Sequence, residues 1–118
     1  MKKTIIILSL CVSYIFAQHF NIQIDETGES TLFIFEHSIN SLMTGDEIGL
    51  FDANGVVESC IPEEGCEDVV QGEVLVGSGV WSGAQLDIVA IGSIDLSEFG
   101  GPVLYGYVDG NPIHIKVW

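Results

Sequence analysis

The sequence TGDEIGLFDANGVV at residues 44–57 decides the fold. It contains an acidic turn, a short alternating strand, an Asn-Gly pair and a second apolar strand. Asn and Gly adopt the positive φ angles that a tight two-residue reversal needs, and Ile48, Leu50 and Val56 can then point into one core. We therefore predict a β-hairpin that reverses at Asn54-Gly55, within a β-rich domain.

Further strand signals lie on both sides of this hairpin. Four large apolar residues in a row, Leu32 to Phe35, predict a strand at residues 31–39 that is covered on both faces. Gly77 and Gly79 indicate a bulge or a close backbone approach in another strand. The remaining predicted strands cover residues 20–24, 73–81, 86–91, 103–108 and 113–118, with turns at 82–85 and 109–112 and one helical turn at 95–99. Seven or eight short strands without an amphipathic helix predict an all-β fold, an antiparallel β-sandwich, with a small β-barrel as the alternative.

Residues 1–17 have the pattern of a secretory signal peptide. Lys2 and Lys3 precede an apolar run that is short for a membrane span, and Ala17 stands at the expected cleavage site. An uncleaved anchor is the alternative, and lipidation at Cys11 is disfavoured by the bulky residue before it. We expect a secreted or cell-surface protein in which residues 18–118 form a single domain, without a membrane partner after cleavage. The final strand lacks a polar tail, so we expect the native chain to continue.

The charge excludes one class of partner. The whole chain has a formal charge of −14, and after removal of residues 1–17 only Lys116 opposes seventeen acidic residues. Such a protein repels phosphate backbones and anionic membrane surfaces, so nucleic-acid binding is excluded. The acids either keep the protein soluble or supply oxygen ligands for calcium.

Two cysteines remain in the expected mature chain. Cys60 and Cys66 lie five residues apart in an acidic segment, and in an exported protein such a pair predicts a disulfide. The small ring would contribute on the order of 2 kcal/mol, so it fixes a loop and does not create the fold. A zinc site is disfavoured because no third or fourth ligand stands nearby.

Four segments together resemble a recurrent module of bacterial secreted and surface proteins. They are TGDEIGLFD at residues 44–52, EVLVG at 73–77, LDIVA at 86–90 and GYVDGNPI at 106–113. The resemblance implies a β-sandwich, often found in proteins with C-terminal sorting domains, and it implies no catalytic role. The extended loop from Cys60 to Cys66 departs from the shorter versions of the module, which makes it a place for an individual function.

Oxygen donors concentrate on the predicted hairpin. Calcium accepts six to eight oxygen ligands in flexible geometry, so these residues are candidate ligands of a stabilising calcium ion. The alternative is that they are solvated turn residues, since Asp and Asn favour turns for backbone reasons. The candidate ligands are Asp46, Glu47, Asp52, Asn54 and Glu58.

Aromatic residues form the second candidate site. Trp81, Tyr105 and Tyr107, together with Trp118, offer rings that could stack on a sugar, and core packing is the alternative. Adjacent acids on a strand point to opposite faces, and no nucleophile motif is present, so we predict that the protein is not an enzyme. We predict a noncatalytic surface module with a structural or adhesive role, whose partners are extracellular polysaccharide or other surface proteins. The alternatives are a carbohydrate-binding module of a larger secreted protein and self-assembly through the strand at 113–118.

Overall fold

The computed structural model describes residues 19–58 and 69–118. Within these ranges the chain forms two antiparallel sheets, which confirms the all-β fold class, although with five strands in place of the seven or eight predicted. The strands are β1 (Ser30–Phe35), β2 (Glu47–Glu58), β3 (Val70–Val80), β4 (Leu86–Ile91) and β5 (Ile113–Val117), with a 3-10 turn at Ser97–Phe99. One sheet has the order β1-β4 and the other β3-β2-β5.

The predicted reversal at Asn54-Gly55 is wrong. β2 runs through both residues as one strand and pairs with β3, with a register shift between Asp52 and Gly55. No non-glycine residue among those described has a positive φ, and the φ of Gly55 is also outside that range. A Cβ on Gly55 would lie against a methyl group of Val74 and 2.7 Å from the Gly106 carbonyl oxygen. The pair therefore forms a bulge with a close backbone approach.

The prediction that β1 is covered on both faces is also wrong. Leu32 and Ile34 are 54% and 55% exposed, while Phe35 on the other face is buried. β1 pairs only with β4 in a two-stranded sheet, and Leu32 lies directly opposite the exposed Val89. One face of this sheet packs on the core, and no described element covers the other.

Two predicted strands are absent as strands. At residues 20–24 the apolar side chains are less exposed than their neighbours, but no ladder forms. At residues 103–108 only isolated bridges occur, including Val56 with Gly106 and Gly92 with Tyr107. The burial alternation of residues 20–24 thus comes from packing of an irregular segment, since a strand also needs a hydrogen-bonding neighbour.

The turn at residues 82–85 carries the chain from one sheet to the other. β3 pairs with β2, whereas β4 pairs with β1 and packs across β3. The predicted close approach at the β3 glycines is confirmed, because a Cβ on Gly77 would lie 2.9 Å from Ile88 and one on Gly79 would lie 3.1 Å from the same side chain. The core therefore sits between the sheets, where it contains Ile48, Leu50, Val76, Trp81 and Ile88.

Several predictions fall on parts of the chain that the structure does not describe. The signal peptide at residues 1–17 and the disulfide between Cys60 and Cys66 lie outside the described residues. Within the described ranges, no helix has the length and apolar character needed to cross a membrane.

Candidate functional site

Asp52 is the most distinctive side chain among the predicted site residues. It is 1% exposed and is the only charged residue that is buried within residues 19–58 and 69–118. The backbone N–H of Asn54 donates to its Oδ1 at 2.8 Å, and the backbone N–H of Val108 donates to its Oδ2 at 2.9 Å. The side-chain amide of Asn111 lies 3.2 Å and 3.1 Å from the two oxygens.

Both oxygens of the Asp52 carboxylate accept hydrogen bonds from the chain itself. An ionised carboxylate has about four lone-pair sites, and here each oxygen faces two donor contacts. The Asn111 amide also donates to the backbone carbonyl of Asn54 at 3.2 Å. Asp52 therefore fastens the β2 bulge to the turn that precedes β5, with both oxygens bonded to the chain and only 1% of the residue exposed.

Glu47 holds the first described residues against the start of β2. Its Oε1 accepts the backbone N–H groups of His19 at 2.9 Å and Phe20 at 3.3 Å, and its Oε2 accepts that of His19 at 3.0 Å. The Phe20 ring then packs edge-on against Phe51, with 5.6 Å between the ring centroids. The carboxylate thus anchors an irregular segment, much as a capping residue satisfies the free N–H groups of a helix.

Two other acids satisfy turn backbone in the same way. Oδ2 of Asp46 accepts the backbone N–H of Met43 at 2.8 Å, and Oδ1 of Asp95 accepts that of Ser97 at 2.9 Å. Hydrogen bonds from the Ser97 side chain and then from its backbone lower the pKa of Asp95. Acids at these turns therefore have the backbone role that turn chemistry predicts for Asp.

The five candidate calcium ligands do not form one site in the part of the chain that the structure describes. Asp52 points inward to its donors, Glu47 binds the first described residues, and Glu58 is exposed at the far end of β2. No group of three or more His, Cys, Asp or Glu side chains within residues 19–58 and 69–118 is placed to hold a metal ion. A calcium role stays a prediction, and Asp52 does not fit it.

The structure separates the three aromatic candidates. Trp81 is 2% exposed in the core, and Tyr107 is 7% exposed with its hydroxyl 2.7 Å from the Thr31 hydroxyl. Tyr105 is 37% exposed in the segment before β5. Trp118 is exposed too, but its ring stacks on His19 with 3.6 Å between the centroids. Only Tyr105 of the three is accessible to a sugar ring.

A cleft of about 210 Å³ lies next to the Asp52 hydrogen bonds. It opens between β1, the turn at residues 109–112 and β5, and its walls include Phe33, Tyr107, Asn111 and Ile113. The cleft marks the side of the sandwich where the edge strands of the two sheets face each other without a connecting strand among the described residues.

Sequence reasoning missed the surroundings of Lys116. Lys116 lies 3.1 Å from both carboxylate oxygens of Glu73, and its ammonium group sits 4.4 Å from the centre of the Phe51 ring. The pair is half-exposed, so it stabilises the sheet only weakly. The surroundings of Lys116 could have been found only by predicting that β5 pairs with β2, because this pairing is what places Lys116 opposite Gly49.

Comparison with protein-family models, with curated proteins and with solved structures gave no match. The resemblance to the secreted module therefore stays a prediction that rests on the four quoted segments.

Proposed function

We propose that this protein is a noncatalytic secreted or cell-surface β-sandwich module with a structural or adhesive role. The strongest support for this proposal comes from the hydrogen bonds that Asp52 accepts. A buried carboxylate with a catalytic or ligand-binding task keeps an acceptor free for its substrate or ion, whereas both oxygens of Asp52 are bonded to the chain itself.

Two other candidate site residues also have structural roles. Glu47 binds backbone N–H groups and Trp81 fills the core. The strong acidity favours solubility outside the cell and disfavours contact with anionic surfaces. These observations favour a structural scaffold that presents surfaces and loops, and they disfavour an enzyme.

The location of the protein tests this proposal. We expect mass spectrometry of fractionated native cells to find the mature chain in the medium or on the surface, beginning close to Gln18. Brief protease treatment of intact cells should remove a surface-bound form, with a cytoplasmic protein as the control. Recovery of the protein only from the cytoplasm, with residues 1–17 attached, would contradict the proposal.

A carbohydrate-binding module is the second candidate, and the exposed ring of Tyr105 favours it. If this ring stacks on a sugar, Tyr105→Ala should weaken retention on insoluble polysaccharide by about fivefold, the equivalent of about 1 kcal/mol. Tyr105→Phe keeps the ring and serves as the matched control. Equal retention of the wild type and the Ala variant in a depletion assay would remove this candidate.

A further inference from the structure

The outer edge of β5 carries a row of backbone groups that no described strand pairs with. Glu47 and Trp118 exchange both backbone hydrogen bonds, at 3.0 Å and 2.8 Å. In an antiparallel ladder, pairs that exchange backbone hydrogen bonds alternate with pairs whose backbone N–H and C=O groups point away from each other. Lys116 and His114, which lie two and four residues before Trp118, therefore also bond to β2. The N–H and C=O groups of Ile113, Ile115 and Val117 therefore point to the other side, where no described strand pairs with them.

The inward side chains of the same strand are poorly covered. Ile115 and Val117 lie directly opposite Leu50 and Ile48, so they point to the core face of the sheet. Leu50 and Ile48 are fully buried, yet Ile115 is 53% and Val117 50% exposed. Of the described strands, only β2 contacts β5 extensively. In residues 19–58 and 69–118 the core is therefore left uncovered beside β5, where one more strand would cover it.

We propose that β5 pairs with β5 of a second copy of this chain, antiparallel and centred on Ile115. In this register Ile115 lies opposite Ile115 of the other copy, and Ile113 lies opposite Val117. All three outward-pointing residues then exchange both backbone hydrogen bonds with their partners, and the aliphatic side chains pair on the same face. The edge is thus self-complementary under a two-fold axis, as a closed symmetric dimer requires.

The charge distribution also favours a second copy at this edge. Residues 113–118 contain no acid and include Lys116, while all seventeen acids lie elsewhere in the sequence. Pairing through β5 joins the least negative segments of two strongly acidic molecules and leaves the acidic surfaces apart. The outward-facing neighbours across the seam are His114 and Lys116, which do not bring two carboxylates together.

This inference rests on the proposed surface role, because it names the partner through which such a module would assemble. The two proposals fail separately. A monomeric protein on the cell surface would remove the self-pairing and leave the surface role, whereas a dimeric cytoplasmic protein would do the reverse.

Sedimentation equilibrium of the purified protein over a wide concentration range tests the pairing. We expect a monomer–dimer equilibrium that Ile115→Pro weakens about tenfold or more, since the substitution removes an outward N–H and leaves the ladder with β2 intact. Ile34→Thr is the matched control, because Ile34 is equally exposed but lies on β1. A monomer at every concentration, an unaffected Ile115→Pro dimer, or a dimer abolished by Ile34→Thr would each overturn the proposal.

A cross-linking measurement decides the question if the proline variant does not fold. A hydrogen-bonded antiparallel pair separates its Cα atoms by about 5.5 Å, which is within disulfide range. Ile115→Cys should therefore form covalent dimers on mild oxidation, beyond those of the wild type and of Ile34→Cys. Equal cross-linking of the three proteins would overturn the pairing. Added salt should strengthen the dimer, because it screens the repulsion between two acidic molecules, and a dimer weakened by salt would contradict the arrangement.

Discussion

Asp52→Asn is expected to lower the free energy of unfolding by about 3 kcal/mol, and the melting temperature by about 15 °C. The amide has nearly the shape of the carboxylate, but its NH₂ group donates. It would face the N–H of Val108 or Asn54 and the amide of Asn111, which are now bonded to oxygen. At least one of these part-buried hydrogen bonds would lose its acceptor, and a bond to a charged group would be lost with it. Thermal and urea denaturation measure the change.

Two other substitutions separate this effect from a general loss of charge. Asp87→Asn removes an exposed carboxylate that accepts a hydrogen bond from the Gln85 side chain, so its effect should be small. Asn111→Ala leaves the backbone donors of Asp52 in place and should cost about 1 kcal/mol. If Asp52→Asn unfolds at the same temperature as Asp87→Asn, the carboxylate does not hold the β2 bulge to the turn before β5.

The sequence allowed correct predictions where the signal is local. β4 and β5 lie where alternation or strand composition predicted them, and the turn at residues 82–85 has Gly83 at a φ of +93°. Asn54-Gly55 shows the limit. An Asn-Gly pair fits a tight turn, but it also fits a bulge at which Gly55 meets the backbone of Gly106. Only the distant partner decides between them, and no local pattern reports it.

The candidate site was less predictable than the fold for a related reason. The sequence identifies Asp52 as an oxygen donor but does not reveal that N–H groups from residues far along the chain will surround it. Strand parity would place Tyr105 and Tyr107 on the same face, yet Tyr105 is exposed and Tyr107 is buried. The segment makes only isolated bridges there, so strand periodicity does not apply.

The segment around Gly106 joins the ends of the two sheets. The Gly106 carbonyl accepts the N–H of Val56 in β2 at 2.9 Å, while the N–H of Tyr107 donates to the carbonyl of Ile91 in β4 at 3.0 Å. The chain passes so close to β4 that a Cβ on Gly106 would lie against the carbonyl carbon of Gly92 and 2.5 Å from the nitrogen of Ser93. These are backbone atoms, so no side-chain rotation can relieve the clash.

Gly106→Ala is therefore expected to destabilise the protein by about 3 kcal/mol, since overpacking against backbone adds to the strain of a positive φ. Gly110→Ala is the matched control, because Gly110 also has a positive φ, +90°, but has no atom within 4 Å of an added Cβ. We expect the control to cost about 1 kcal/mol, which is the conformational strain alone. Denaturant unfolding of both variants gives the difference, which isolates the close approach of the sheets. Equal losses of unfolding free energy in the two variants would mean that the backbone can move apart at Gly106 without a free-energy cost. The two sheets would then be held together elsewhere in the core.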